Sequence, residues 1–585
     1  MESNVTTNGG SKDYIIAPEK PGLKLALSLI ATLIAAAIGY YLYLPAINPK
    51  SSQFWLYLAG VVISFVVFLT IFSGAAKKPE YSPYVRRKSF IPVILVGVIV
   101  IITLIGYLAG CALFRAKDYS QLLNVNNQTE ADFSEDIQSV DVSSFTRLPR
   151  LDEDSARQLA PKALSALGDS GTVSQFTVYN TYTQINYKGR PVRVAPLQYA
   201  SIIKWLSNTK NGLPGYVIIN MADETTDFHK LDEDKYIRYS PAEHFSRLLK
   251  RHLRFNYPTY LFGESTFEID DAGNPYWICP RLDNKLGLFG GTDVIGAVIV
   301  KADSKTGESI YYSIDELRDN KDLQWIDRIF DSNLLVKQFN FAGKYHSGFW
   351  NAIMTQKDVR AATDGHNYLA LDDDVYLYTG VTSATSDQSI VGFVLINQRT
   401  KGANFYRVGG STEQAAMASA EGRVSDLRYK ATFPLLVNVG GQPTYFMSLK
   451  DTQNSNQIVQ QYALINVKDY NKIGANAKSL DDVLRLYTEA LTKNGVTPPP
   501  IITPDNNDNT TVTGTVTDIR TQLLSGESVY YIRLADNTAW YRISASVYEP
   551  VVLLSKGAKV TIVVEKKSED ADKAIVNIVE FKTGS

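Results

Sequence analysis

The sequence predicts a three-helix transmembrane anchor, an α+β ectodomain of four repeated hairpin-strand-helix modules, and a small all-β barrel at the end. Three observations carry that reading. There are three apolar runs before residue 115, one apolar strand written four times between residues 215 and 466, and a compositional break near residue 494 followed by five short alternating strands. At 585 residues the chain is too long for one core, so several packing units are expected.

The first run, GLKLALSLIATLIAAAIGYYLYL, follows a tail of residues 1–22 and holds one Lys at its edge. The uncharged stretch after that Lys, at ~1.5 Å per residue, is long enough to cross roughly 30 Å of hydrocarbon. Runs 54–74 and 90–114 meet the same test, and Tyr41, Tyr43, Trp55 and Tyr57 sit where interfacial aromatics belong. The first run is too long for a secretion signal and lacks a small-residue cleavage site, so residues 23–115 are expected to stay as three anchoring helices. Lys77, Lys78, Arg86, Arg87 and Lys88 follow the second run against a single acid, whereas the loop after the first run carries only Lys50. Basic loops stay in the cytoplasm, which predicts a multi-pass plasma-membrane protein with a cytoplasmic N-terminus and a large extracytoplasmic C-terminal part. The spans lack intramembrane charge and read as anchors rather than an ion path, while LIAAAIG and LAGVV offer small residues for contact with other membrane subunits.

Residues 1–115 carry a net charge of +6 and the remainder −7. A mildly acidic ectodomain argues against a partner held by polyanion attraction, so no nucleic acid is expected. Cys111 and Cys279 are far apart, one at the end of a span, and predict no disulfide. The run ending Leu-Ala-Gly-Cys has the form of a lipoprotein signal placed internally, but small residues at a helix end are common without lipidation.

The repeated strand reads GYVIIN (215–220), GAVIVK (296–301), GFVLIN (392–397) and QYALIN (461–466). Each is a short β-branched run bounded by turn residues, as expected of a strand buried on both faces. Upstream of each lies a hairpin. Three hairpins place Gly-x-Pro at the turn (Gly189 and Pro191, Gly273 and Pro275, Gly441 and Pro443), and the third copy has Asp372, Asp373 and Asp374 instead. Tyr276, Tyr376 and Tyr445 follow those turns as equivalent residues. Downstream, SPAE at 240, SIDE at 313, STEQ at 411 and SLDD at 479 each predict a serine-capped helix lying on its sheet. The predicted modules are 182–264, 265–365, 366–432 and 433–493, after a connecting segment with a helix at 116–181. Alone each would bury a modest core, so neighbours are expected to pack into one body.

Strand ends such as VKADSKTGE and INQRTKG resemble PepSY-type modules, small helix-on-sheet units of bacterial outer surfaces. The three spans, followed by INYKGRPVRVAPLQYASIIKWL, YPTYLFGESTFEIDDAGNPYW, GLFGGTD and TDGHNYLALDDDVYLYTGVTS, resemble a family of uncharacterised Gram-positive membrane proteins, some labelled as colicin V production or cell-shape proteins. The resemblance covers residues 20–493 and implies a membrane location and a cell-envelope setting.

Residues 494–510, rich in Pro, Asn and Asp, read as a linker. The strands of residues 511–585 alternate and turn at glycines, and they resemble a five-stranded OB-type barrel. Tyr530, Tyr531, Trp540 and Tyr541 are the candidate binding residues, a stacking face for bases or sugars, although aromatics that simply fill strands are the commoner case. Equal numbers of bases and acids in this domain speak against a nucleic-acid funnel.

His229, His244, His252, His346 and His366 have no metal-ligand spacing, and two cysteines cannot make a zinc knuckle, so no metal and no cofactor is expected. GLFGGTD lacks the Lys of a phosphate-binding loop and reads as a connection between strands. LDDDVY aligns with the hairpin turns and lacks the downstream acid of a calcium loop. TDGHNY sets Asp364 beside His366 with no nucleophile motif. The expectation is a non-enzymatic envelope protein whose ectodomain is a binding or scaffolding surface for an envelope or membrane partner. The alternative is a regulator of an envelope peptidase or a cell-wall-active enzyme, which a deep polar pocket joining Asp364 and His366 to a buried carboxylate would favour.

Overall fold

The computed structural model describes residues 16–137, 148–166, 174–208, 211–371, 374–383, 389–451, 459–496, 509–524, 527–535, 537, 539–545, 548–565 and 575–583. The chain forms two compact units that meet in sequence at residues 499 and 500.

Three helices are long and apolar enough to cross a membrane: α1 (Pro21–Tyr43), α2 (Ser52–Ser73) and α3 (Ser82–Ala109). Pro21 and Pro83 open α1 and α3 where their missing N–H costs nothing. The third helix starts earlier than its apolar run and stops at Gly110, and the run's last residues begin a separate helix, α4 (Ala112–Ser120). The end of α1, the Leu44–Ser51 loop and the end of α3 all meet the sheets, while the Lys77–Lys88 segment lies at the other end of the bundle.

Besides the Leu44–Ser51 loop, where Lys50 pairs with Asp283 (2.8 Å), two junctions join this bundle to the sheets. α8 (Leu249–Asn256) brings Arg251 Nη2 to the carbonyl of Tyr41 (3.2 Å) and Arg254 Nε to that of Leu44 (3.1 Å). A helix C-terminus leaves its last carbonyls unpaired and carries partial negative charge, so two guanidinia satisfy both needs of α1. At the second junction the GLFGGTD hairpin meets α3. A Cβ on Gly110 would stand 2.7 Å from the carbonyl of Leu286, and one on Gly290 2.5 Å from the hydroxyl of Tyr119. The glycines there are required by backbone approaching backbone.

Four sheets follow and share one antiparallel meander, the third adding a parallel edge strand, Val125–Gln128, beside Ala403–Tyr406. In each, four successive antiparallel strands form a meander: β1–β4 (Thr183–Tyr187, Arg190–Tyr199, Gly215–Asn220, Thr226–Lys230), β5–β8 (Thr266–Ile269, Pro275–Leu286, Gly290–Lys301, Ser309–Ser313), β9–β12 (Asn367–Leu371, Asp374–Ser383, Gly392–Asn397, Ala403–Tyr406) and β13–β16 (Leu435–Val439, Gln442–Lys450, Val459–Asn466, Gly474–Ala477). In each, a further short strand (176–178, 261–262, 360–362, 430–431) pairs with the far end of the second, longest strand. The repeated apolar strand lies third every time, hydrogen-bonded on both sides. Gly189, Gly273 and Gly441 all take positive φ at their hairpins.

Alternation along β6 and β7 explains how the body holds together. Cys279, Val298 and Val300 enter a core shared with the first sheet, while Ile278, Ala297 and Ile299 enter a core shared with the third. A strand with both faces buried reads as an unbroken apolar run for this reason.

The helices depart from expectation in three ways. Ser313 and Ser479 cap α9 (Ile314–Asp319) and α13 (Leu480–Lys493) as predicted, the first with a reciprocal capping box through Glu316. For STEQ the cap is Thr412, because Ser411 is spent on the carbonyl of Val467. SPAE caps no helix. Glu243 turns inward to the indole of Trp205 (2.5 Å), Phe245 takes positive φ, and α8 begins only at Leu249. Further, α12 (Glu413–Gly422), which follows the third sheet, packs on the fourth, with Ser419 on the carbonyl of Tyr470 and Asn476 on that of Ala420. The tyrosine alignment also shifts. Tyr276 and Tyr376 occupy equivalent places opposite Lys301 and Asn397, but their counterpart in the fourth sheet is Thr444, one residue before the buried Tyr445.

The second unit is a closed five-stranded barrel, β17–β21 (Asn509–Leu524, Glu527–Leu534, Trp540–Ser544, Lys559–Glu565, Ile575–Thr583), ordered β17-β18-β19-β21-β20. Its long first strand pairs with β20 through its first half and with β18 after a register shift near Val516.

Candidate functional site

A cleft of about 480 Å³ opens where the first, third and fourth sheets meet the start of α6 (Glu153–Ala166). Arg193 enters it from the middle of β2, and Arg150, Asp152 and Glu153 from the segment leading into the helix. His366 and Tyr368 come from the edge of β9, with Phe446 and Met447 of β14 forming an apolar wall. Backbone contacts hold the Arg150 segment in place: its amide donates to the carbonyl of Met221 (2.8 Å), and its carbonyl accepts from the hydroxyl of Ser448 (3.0 Å).

The acids of the cleft are already partnered. Asp152 accepts from the amide of Ser155 (2.9 Å), capping α6, and from the ammonium of Lys450. Burial pushes its pKa up, but Lys450 and Ser155 outweigh burial and hold it below the ordinary carboxylate value. Arg157 takes both Glu153 (2.6 Å) and Asp154 (3.4 Å).

The bases are not so matched. Arg193 is only 6% exposed, and among the described residues its Nε has no hydrogen-bond partner and its nearest carboxylate oxygen, on Glu153, is 4.0 Å away. Burial lowers its pKa, partly countered by Glu153. Cross-strand from it, Gln184 is buried with neither amide atom paired among the described residues. Arg150 donates to the hydroxyl of Tyr462 (3.2 Å), and its buried Nε is likewise unpartnered. Two guanidinia thus line one cleft with no carboxylate of the described residues in hydrogen-bond reach, an arrangement suited to accepting an anion.

The pKa of His366 is lowered first by burial and then by Arg328. Its Nε2 lies 3.2 Å from the hydroxyl of Tyr368, which reaches the hydroxyl of Ser332 (2.9 Å) and accepts from Arg328 (3.4 Å). Behind Arg328, Glu268 accepts the amides of Asp327 (2.9 Å) and Arg328 (3.1 Å), and burial raises its pKa to about 7. Asp364 is exposed and does not line the cleft; its carbonyl accepts from Gln414 (2.7 Å). Among the described residues no three His, Cys, Asp or Glu side chains converge as a metal site.

No protein-family model matches the chain, and no curated protein matches it. Among solved structures, a levansucrase variant from B. megaterium aligns at 11% identity over 78% of this chain and 96% of its own, with a TM-score of 0.17. A likeness that slight carries no argument about fold or activity.

The four barrel aromatics separate by strand alternation. Tyr541 is buried in the barrel core and Tyr530 packs against it, whereas Tyr531 and Trp540 lie on the outer surface. There Trp540 is flanked by the guanidinia of Arg520 (4.8 Å) and Arg533 (5.8 Å), and Tyr531 reaches Gln522 (3.4 Å). Of the LDDDVY acids, Asp374 is paired with Arg399 (2.6 Å) and Asn397 (2.8 Å); Asp372 and Asp373 lie outside the described residues.

Arg150, Arg193 and Tyr368 were not singled out by motif. One signal was available: Val-Arg-Val in the middle of a strand otherwise built to be buried, where an isolated charge is costly unless something meets it.

Proposed function

We propose that this is a membrane-anchored, non-enzymatic cell-envelope protein with its sheets outside the cytoplasm, where the cleft binds a small anionic envelope ligand, a carboxylate or a phosphate. The single observation supporting this is the pair of guanidinia, Arg150 and Arg193, that lack a hydrogen-bonded carboxylate in a cleft whose acids are already engaged. The cleft's size suits a compact ligand rather than a polymer lying along a surface. The outside placement rests on the basic segment at the opposite end of the bundle. The likeness to three-span Gram-positive envelope proteins and PepSY-type modules, and the OB-like strand order of the barrel, agree with a binding or scaffolding role.

A second reading, regulation of an envelope peptidase or a cell-wall-active enzyme, draws on His366 sharing the cleft with Asp152 and Glu153. Thermal unfolding of the purified full-length protein against phosphate, acetate and muropeptide fragments tests the first reading. Stabilisation by an anion that Arg193→Met abolishes supports it, and no stabilisation by any member of the panel refutes it. Turnover of a muropeptide that requires His366 would favour the second.

A further inference from the structure

We propose that the sheet body rests on the leaflet at its own side of the membrane through two apolar feet, whose partner is a bilayer containing anionic lipid. The spanning helices fix the level of that leaflet, because a helix ending at Tyr43 must bring its last turn to the edge of the hydrocarbon. Whatever touches that turn lies at the same depth. Phe255 of α8 has its ring 6.0 Å from that of Tyr40, one turn inside the helix end, yet is 56% exposed. In the same helix the Arg251 guanidinium stacks 4.0 Å from the ring of Tyr41.

The first foot extends from there. Arg251 also holds the carbonyl of Phe245, whose exposed ring stacks 5.5 Å from Trp205 in α7 (Ile202–Ser207). Trp205 is buried, and on the same helix Ile202, Ile203 and Leu206 stand out at 51%, 75% and 58% exposed. Leu206 is four residues from Ile202 and three from Ile203, spacings that share a helix face, so these three form one apolar surface. Around it, Lys204, Arg247 and Lys250 make no ion pair among the described residues, while Arg251 and Arg254 are buried on the end of α1. Exposed apolar side chains within a rim of unneutralised bases fit phosphate headgroups above acyl chains.

The second foot stands where α3 leaves the membrane. Leu113 and Phe114 at the start of α4 are exposed, and the inner side of α4 packs through Ala116 and Tyr119 on Tyr345 and Ala352. The turn carrying Ala352 presents Trp350 and Met354 at 67% and 73% exposed, with Ile353 between them. Tryptophan and basic residues mixed with aliphatic ones typify the membrane interface, and Arg115, Lys117 and Lys357 supply the bases here. Two such patches, each beside the outer end of a spanning helix, place the bilayer rather than a separate protein against them.

The test uses the full-length protein with Cys111→Ser, leaving the buried Cys279 in place, and one new cysteine at a time: Ile203→Cys, Leu206→Cys, Phe255→Cys, Trp350→Cys or Met354→Cys. Each is spin-labelled and placed as single copies in nanodiscs of phosphatidylcholine with or without phosphatidylglycerol. The expected result is relaxation by oxygen exceeding that by a water-soluble nickel chelate at all five sites, at roughly 5–10 Å below the headgroups, and deeper for the first foot with phosphatidylglycerol. Nickel relaxation exceeding oxygen at either foot overturns the proposal. Labels shielded from both reagents only in discs loaded with two copies would assign the faces to a second copy instead, and would equally overturn it. Five independent exposed sites keep the result readable if one variant fails to fold.

Discussion

Replacing Arg193 by methionine separates a ligand-binding arginine from a structural one by the sign of the stability change. The side chain is buried, and among the described residues its Nε is unpaired and the nearest acid, Glu153 at 4.0 Å, is already held by Arg157 at 2.6 Å. A buried donor left unsatisfied costs about 1–3 kcal/mol, and exchanging a poorly compensated buried charge for an apolar side chain of similar length is worth about 1–4 kcal/mol. Arg193→Met is therefore expected to stabilise the ligand-free protein by ~1–3 kcal/mol, read as a higher urea midpoint at unchanged slope. The same variant should lose stabilisation by anions, which at a hundred times Kd amounts to about 2.7 kcal/mol in the parent protein. Breaking a well-formed buried ion pair instead costs about 3–5 kcal/mol. A midpoint that falls by that amount would show that Glu153 and Arg193 are true partners and would refute the reasoning behind the anion site.

Four further outcomes are expected. Burial raises the pKa of Glu243 to about 7, so its folded form keeps a proton that the unfolded form has released. Stability from this group is present in full below the ordinary glutamate value of ~4.3, falls as pH rises toward about 7, and is flat above; Glu243→Gln should remove that slope in urea titrations across pH 4–8. Ser479→Ala, which deletes the cap on Asp482 N, should cost ~1 kcal/mol by the same measurement. Tyr216→Phe should cost about 0.5–1.5 kcal/mol, because its hydroxyl donates to the carbonyl of Gly273 (2.6 Å) and joins the first sheet to the second hairpin. Gly110→Val forces side-chain carbon against the carbonyl of Leu286 and should cost ~1–3 kcal/mol, with faster proteolysis between α3 and the sheets in membranes.

The parts of this fold legible in the sequence are those set by neighbours along the chain. Apolar run length gave the spans, Gly-x-Pro gave three hairpin turns, and the third strand announced itself four times because it is buried on both faces. Helix starts were legible only where no competing partner existed. Ser313 and Ser479 were free to cap, whereas Ser411 met the carbonyl of Val467 and Glu243 met Trp205, long-range partners that local pattern does not contain. The cleft was illegible for the same reason, since residues from Arg150 to Ser448 are brought together by packing of three sheets. The four barrel aromatics read as one stacking face in the sequence, but strand alternation divides them, placing Tyr531 and Trp540 outside and Tyr541 within.

The arginines that finish α1 and the glycines that seat a hairpin on α3 attach the sheets to the bundle at two separate points. A body held by one strand of chain can swing, but one bolted twice cannot swivel freely. Its height relative to the spanning helices is then a property of the fold rather than of linker length, and the cleft proposed to take an anion stands at a set distance from them.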